Sequence, residues 1–355
     1  MRSLSYSEIS AMQTCFARWD FGYGGHLAGD ALKPLSQPPI LSDGRAWGAA
    51  VAAYYASASV LAPWEAHEAM HASYAADIAE MLAAGLSVDP AQDQEQRQRL
   101  GDILDHHIQT VEPLPGLTRL EHEFDVPVPS RGGGQRGSNL YRFRCFIDGY
   151  TTDHAGREWL VEIKLRKSLQ SVSLVEKARQ YRWYAWAARK AGHDPIGIIV
   201  DERLNEPPGE PRILKSGRVS ADTRQHTTED RYAMACAERG QEVEPSMLAA
   251  LRQIRWHQRV PILFRSGELD EAGRELTSAA RVIRDLDSGL LYPMRNASRA
   301  NCGYCRFRDI CSEPTDALYI DTLFSRVAPK RLRESENGTT TEAPAAPSNP
   351  FEAFA

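Results

Sequence analysis

No apolar run in this chain is both long and clean enough for a bilayer helix; the best stretch, Trp47 to Pro63, is interrupted by Gly, Tyr and Ser. The opening residues MRSLSYSEIS lack the apolar segment of a signal peptide, so a cytoplasmic protein without a membrane partner is expected. An overall basic excess is also missing. Forty-two Lys and Arg stand against 47 Asp and Glu, a net charge of −5, and any nucleic acid must be met by local patches. No G-x4-G-K-[ST] phosphate loop occurs anywhere, which excludes a P-loop motor. Six cysteines in an intracellular protein of 355 residues do not form a disulfide framework. What remains is 42% hydrophobic and 25% charged, enough for one large domain or two smaller ones with a full core.

The first hundred residues carry helical spacing: SYSEISAMQTCFARWDFGY opens with Ser/Glu capping chemistry, WEAHEAMHASYAADIAEMLAAG ends at Gly85, and DQEQRQRLGDILDHHIQTV continues the pattern. From Leu117 the period changes to two. RLEHEFDVPVPS, NLYRFRCFIDGYT and EWLVEIKLR, separated by RGGGQRG and DHAGRE, predict three antiparallel strands. LVEKARQYRWYAWAARKAG returns to helix and stops at Gly192, and DPIGIIVDERL then predicts a buried strand. A helix and strand beside a meander imply a mixed sheet with helices on its faces. Residues 229–258 and 268–290 again carry helical spacing. The tail from Arg333, rich in Pro, Thr and Ala, is expected to be disordered, and its end NPFEAFA is either a docking peptide or a frayed terminus.

Alternate residues of a strand share a face, so Glu162 and Lys164 point one way while Val161, Ile163 and Leu165 point the other. If the preceding strand pairs through TTDHAGRE, Asp148 lies beside Glu162. Two adjacent carboxylates repel, and a hard divalent cation with oxygen ligands is the usual reason to keep them together. Mg2+ or Mn2+ there would suit phosphodiester hydrolysis, with Lys164 stabilising charge or positioning a water. The plain alternative is a surface strand whose Glu and Lys face solvent. Two segments interleave Arg with aromatics, Pro129 to Arg144 and Tyr292 to Arg308; each is a nucleic-acid patch or a solvated face. Cys302-x2-Cys305-x5-Cys311 and the distant Cys15 offer four thiolates, which serve zinc and iron–sulfur clusters alike. Cys145 and Cys236 are left over, and Cys145 fits a small core residue of a strand.

Asp148 in FIDGY, Glu162 and Lys164 in VEIK, and Gln180 and Tyr184 in ARQYRWY together resemble the PD-(D/E)XK nuclease superfamily, in particular its RecB/AddB-like iron–sulfur branch. The resemblance runs from about residue 3 to about residue 313. It implies an α/β fold with a mixed central sheet of the restriction-endonuclease type flanked by helices. The implied domains are a helical N-terminal part over 1–116, a nuclease core over 117–228, a helical C-terminal part over 229–330 and a disordered tail over 331–355. Gln180 and Tyr184 inherit a supporting role for the site and the DNA. Glu123 matches the upstream acidic residue better than Glu121. Gly48 in GRAWG stands where the family has a metal-binding His, and His67 and His71 are candidate replacements. In the iron–sulfur members one early Cys and a late C-x2-C-x5-C hold a [4Fe–4S] cluster, which here implies Cys15, Cys302, Cys305 and Cys311.

The resemblance therefore implies a Mg2+- or Mn2+-dependent deoxyribonuclease, specifically an end-directed exonuclease acting on single strands or DNA ends. Its setting would be recombination or repair in a bacterial or phage-infected cell, of phage or prophage type rather than CRISPR spacer acquisition, beside a single-strand annealing protein or recombinase. Arg142, Arg144, Lys167, Arg179 and Arg182 are the expected DNA contacts, with Tyr181 or Trp183 available for base stacking; for Trp183 and Trp186 the alternative is core packing. Two other classes stay in view. One is a catalytically silent DNA- or partner-binding module with the same fold, for which Gly48 would be the symptom; the other is a zinc-stabilised adaptor.

Overall fold

The computed structural model describes residues 1–35, 39–57, 59–83, 87–130, 137–314 and 316–332. Gly85, most of the RGGGQRG turn (131–136) and the tail from Arg333 with its NPFEAFA end lie outside the described residues. Strand β1 (Arg2–Leu4) precedes helix α1 (Tyr6–Thr14), which Ser5 caps by accepting a hydrogen bond from Glu8 N at 3.3 Å. Helix α2 (Phe16–Trp19), a π-turn over Asp20–Gly24 and strand β2 (Ala31–Pro34) follow. Three long helices come next: α3 (Pro39–Ala56), α4 (Ala62–Ala83) and α5 (Pro90–Thr110). Asp89 caps α5 by accepting from Ala91 N at 3.0 Å, with Pro90 in the first helical position where no N–H is needed.

Strands β3 (His122–Pro129), β4 (Gly137–Ile147), β5 (Gly149–Thr152) and β6 (Glu158–Arg166) occupy the alternating stretch, then α6 (Val172–Glu176), α7 (Arg179–Lys190) and β7 (Gly197–Leu204). The chain goes on through α8 (Glu229–Glu238), α9 (Pro245–Leu251), β8 (His257–Leu263), α10 (Ser266–Asp287), α11 (Arg299–Cys302), α12 (Ala317–Leu323) and β9 (Phe324–Val327). The sheets have orders β1-β4-β3, β2-β9 and β5-β6-β7-β8. No described helix is long and apolar enough to cross a membrane.

Two compact units result. Met1–Leu35, Asp125–Cys145 and the described residues from Gly273 onward make one; Ser36–Phe124 and Phe146–Ala272 make the other. In the first, the early and late segments meet directly. β2 pairs antiparallel with β9, Ala31 opposite Val327, and Phe21, Leu32, Phe307, Ile310 and Phe324 close an apolar cluster against which Cys15, Cys305 and Cys311 pack. Gly25 allows the turn into β2: its φ is +80° and a Cβ there would come within 2.9 Å of the Asp30 carbonyl carbon.

In the second unit, β5 pairs antiparallel with β6, β6 parallel with β7, and β7 antiparallel with the edge strand β8. The parallel step needs a crossover, which α6 and α7 supply. On one face of this sheet Val161 and Ile163 are buried with Trp47, Ala50 and Val51 of α3 and with Leu100 and Leu104 of α5, while Leu165 and Ile199 pack at the margin. Burying a side chain of that size contributes about 1.5–3 kcal/mol, so this face pins the register of β6 and turns Glu162 and Lys164 to the opposite one.

Three local expectations are corrected. NLYRFRCFIDGYT is not one strand of an antiparallel meander; it breaks at Asp148 into β4 and β5, which lie in different sheets. Asp148 spends its carboxylate on a backbone N–H of β6, and the close approach at Gly149, where a Cβ would come within 2.8 Å of Leu117 Cδ1, bends the chain. The helix expected over 229–258 is two short helices interrupted at Gly240, whose φ is +58°, followed by β8. HQRVPIL alternates buried and exposed residues, and its Pro261 is tolerated because β8 is an edge. The short strands β1 and β2 were invisible in the helical spacing around them, because three or four residues carry no period and depend on distant partners.

Candidate active site

β6 supplies the centre. Glu162 keeps 3% exposure, which is expensive for a carboxylate unless its oxygens are engaged. Its Oε1 takes an ion pair from Lys164 and a hydrogen bond from Gln180 Nε2 at 3.0 Å. Its Oε2 is buried and has no bonding partner among the described residues. Gln180 also donates to Tyr184 Oη at 3.0 Å, one turn along α7, so the two helix residues act together on Glu162. Asp148, half-buried at the β4–β5 break, accepts from Ile163 N at 2.5 Å through Oδ2. That bond seats it against β6 between the positions of Glu162 and Lys164.

The charges respond accordingly. Burial pushes the Glu162 carboxyl up to about 7, with Lys164 opposing and Asp148 adding to the rise. Asp148 is also raised by burial, against Lys164 and the Ile163 N–H, with the Glu121 carboxylate adding to the rise. Burial disfavours the Lys164 ammonium, but Glu162 and Asp148 outweigh it and leave Lys164 raised. A buried and a half-buried carboxylate that resist ionisation beside one another, one with an oxygen unbonded among the described residues, fit a divalent cation as the missing counter-charge. Among the described residues no group of three or more His, Cys, Asp or Glu side chains stands together as a metal cage. A carboxylate pair completed by water and phosphate oxygens is the arrangement Mg2+ accepts.

Of the other expected residues, Glu123 lies exposed on β3. The acidic residue whose charge reaches Asp148 is Glu121, held at a φ of +49° with its N–H 3.4 Å from Asp148 O. The sequence favoured Glu123 because it precedes the apolar alternation; the turn that swings Glu121 back has no local signature. Gly48 lies on α3, where a Cβ would meet nothing within 4 Å. His67 bonds Asp105 Oδ1 at 2.8 Å and stands 6.5 Å from the His71 ring, centroid to centroid. Lys167 and Arg179 are exposed beside the site on the loop after β6 and the start of α7. Arg182 lies 4.0 Å from Glu271, and Arg142 is committed to Asp125 by a 2.8 Å bond; Arg144 is exposed on β4.

Base stacking by Tyr181 or Trp183 is corrected: their exposures are 1% and 0%, and Trp186 at 3% joins them in the core. The face of α7 that carries them packs inward, which the mixture of Arg and aromatics concealed. Sequence reasoning also passed over Arg166 and Glu202. Arg166 continues the every-second-residue row of Glu162 and Lys164, a signal present in VEIKLR, whereas Glu202 joins it only through β6–β7 pairing.

Cys15, Cys305 and Cys311 pack against one apolar cluster of the first unit, but among the described residues no three cysteines stand together as a metal-holding group. Cys15 Sγ accepts from Asn296 N at 3.2 Å, and Cys311 O accepts from Arg295 Nε at 2.8 Å. Burial raises the Cys305 thiol, and the charges of Cys15 and Cys311 add to that rise. Cys302 stands on the last turn of α11, its carbonyl accepting from Cys305 N at 3.2 Å. None of the six cysteines is in a disulfide, and Cys145 and Cys236 are buried.

The sequence matches the family described as the PD-(D/E)XK nuclease superfamily over residues 3–312. No curated protein matches it. Among solved structures it is similar to the crystal structure of SSO0001, with a TM-score of 0.28 and 14% identity over 74% of this chain and 84% of that one.

Proposed function

Because the chain belongs to the PD-(D/E)XK nuclease superfamily, we propose that it hydrolyses DNA phosphodiester bonds at the Asp148–Glu162–Lys164 site with Mg2+ or Mn2+. The observation that carries this is the buried Oε2 of Glu162, unbonded among the described residues, beside the raised carboxyl of Asp148. Asp148 and Glu162 would hold the ion, and a bound Mg2+ or Mn2+ supplies Lewis-acid activation of a phosphate oxygen and of a water. Ile163 N–H orients Asp148, and Gln180, itself set against Tyr184, orients Glu162. Lys164 offers an ammonium to the negative charge that grows on the phosphate oxygens, its charge maintained by the two carboxylates. Glu123 is proposed as the upstream acidic residue of the site, with Glu121, whose charge reaches Asp148, as a second one.

We extend the proposal to an end-directed exonuclease for single strands or DNA ends, acting from 5′ ends. It would work in the cytoplasm of a bacterial or phage-infected cell beside an annealing protein or recombinase. Lys167, Arg179 and Arg182 would meet backbone phosphates, with Arg144 and, after exchange from Asp125, Arg142 as further contacts. A [4Fe–4S] cluster on Cys15, Cys302, Cys305 and Cys311 belongs to the same proposal. Its support is the shared apolar neighbourhood of Cys15, Cys305 and Cys311 and the N–H directed at Cys15 Sγ. The deciding experiment is digestion of end-labelled linear single- and double-stranded DNA with Mg2+ or Mn2+, alongside an EDTA control and Glu162→Ala of equal cluster content. Metal-dependent shortening from the ends by the native chain alone is expected. Binding of DNA without cleavage in any metal would overturn the enzyme and leave a binding module.

A further inference from the structure

β6 carries a third polar residue on the face that bears Glu162 and Lys164. Arg166 lies two positions beyond Lys164, and the parallel pairing puts Glu202 of β7 opposite Lys164 and Leu204 opposite Arg166. Arg166 Nε bonds Glu202 Oε1 at 3.0 Å, and an outer guanidinium nitrogen lies 3.5 Å from Tyr181 Oη. The side chain still keeps 29% exposure. Among the described residues its remaining terminal nitrogen has no partner.

Glu202 is completely buried. Its second oxygen accepts from Gln258 Nε2 of β8 at 2.6 Å, and the same amide donates to Gln170 O at 2.8 Å. One carboxylate oxygen therefore holds Arg166, while the other is anchored through Gln258 to β8 and the loop that follows β6. Stripping a carboxylate of water costs several kcal/mol, and a pair of apolar residues would fill the space at no such cost. What the arrangement achieves is a guanidinium fixed along one edge with its other edge open. Its charge is also at the active site: it is felt by Glu162 and by Tyr181.

We propose that Arg166 is a substrate-binding residue that takes the nonbridging oxygens of a DNA phosphate adjacent to the scissile one. Glu202 and Gln258 are the positioning residues that present it. The proposal rests on the nuclease reading above. A guanidinium fork matches two phosphate oxygens at once, which Lys164, already paired with Glu162, does not. The row Glu162, Lys164, Arg166 then runs along β6 as metal ligand, charge stabiliser and phosphate clamp.

The test uses the full chain with its cysteine site intact. A fluorescein-labelled single-stranded oligonucleotide is titrated by anisotropy in Ca2+ over a salt series, and kcat and KM are measured in Mn2+. Arg166→Gln is expected to weaken binding roughly tenfold and to lower the slope of log Kd against log salt by about 0.7, with the loss appearing in KM. Arg166→Lys recovers part of the salt slope. Glu202→Gln weakens binding less than Arg166→Gln, and adding it to Arg166→Gln changes nothing further, because it acts through Arg166. Should Arg166→Gln strand the buried Glu202 charge and unfold, the double variant removes that charge and gives the same comparison with wild type. Unchanged Kd and salt slope in a folded Arg166→Gln or double variant would overturn the proposal while wild-type cleavage keeps the nuclease reading. A Glu202→Gln that shifts only the melting temperature would refute the positioning role. Wild-type protein that neither binds nor cleaves DNA would remove both proposals.

Discussion

Asp148 Oδ2 accepts the backbone N–H of Ile163 at 2.5 Å, so the carboxylate that interrupts β4 and β5 is anchored to the strand position between Glu162 and Lys164. The bond explains how one residue in an irregular backbone joins two on a regular strand. It also separates the roles of shape and charge, since an amide oxygen can accept the same N–H.

Asp148→Asn should therefore fold and melt like wild type while DNA cleavage in Mg2+ falls by about 100-fold or more, the scale on which a single preorganised charge contributes. Glu162, relieved of its neighbour's charge, should ionise more readily. Parallel thermal melts and end-label digestions check this, and full activity in the variant would remove Asp148 from the site.

Gln180 holds Glu162 Oε1 from the side. Gln180→Ala should lower Mn2+ affinity by about 10–100-fold, as loss of a ligand's supporting bond does elsewhere. A Mn2+ titration followed by thermal stabilisation reads this directly, and saturating metal should recover much of the cleavage rate.

Protein purified without oxygen should be brown with broad visible absorption and bound iron and sulfide. Cys15→Ser should be paler, lose iron, and melt earlier, because Cys15 joins the first segments of the chain to the last. Stoichiometric zinc with no iron would replace the cluster by a structural zinc.

His107 is buried on the far face of the nuclease sheet, bonded to Tyr55 Oη at 2.9 Å, and burial lowers it from the usual 6.5 to about 3. His106 is lowered by burial to about 4. Their neutral forms are the folded forms, so the unfolded chain binds more protons between those values and 6.5. Stability is complete above about 6.5 and is lost as pH falls toward 4, at about 1.4 kcal/mol per pH unit for each proton. Denaturant unfolding of His107→Gln between pH 7 and pH 4.5 should show a shallower decline than wild type.

Asp43 is buried on α3 with bonds from Tyr74 Oη at 2.6 Å and Gln96 Nε2 at 2.7 Å and an ion pair from Arg99. It ties the three long helices together. Asp43→Ala strands these donors and should cost about 3–5 kcal/mol, measured by urea unfolding, whereas Lys167→Ala on the exposed loop should leave stability within about 0.5 kcal/mol.

The sequence by itself determined the alternation that sets Glu162 and Lys164 on one face of β6, the helix that carries Gln180 and Tyr184 one turn apart, and the long helices that cover the apolar face. These are periodic features whose causes lie within a few residues. Only the tertiary structure decided that the chain breaks at Asp148, that the charge of Glu121 reaches it, and that Trp183 is core. It also decided that Arg166 is held by Glu202 of β7, itself anchored by Gln258 of β8. The break at Asp148 depends on the Ile163 N–H and on Leu117 against Gly149, and the placing of Arg166 on Glu202 with Gln258, partners elsewhere in the chain. Pairing register and burial choose among locally equivalent side chains, and no local period records that choice.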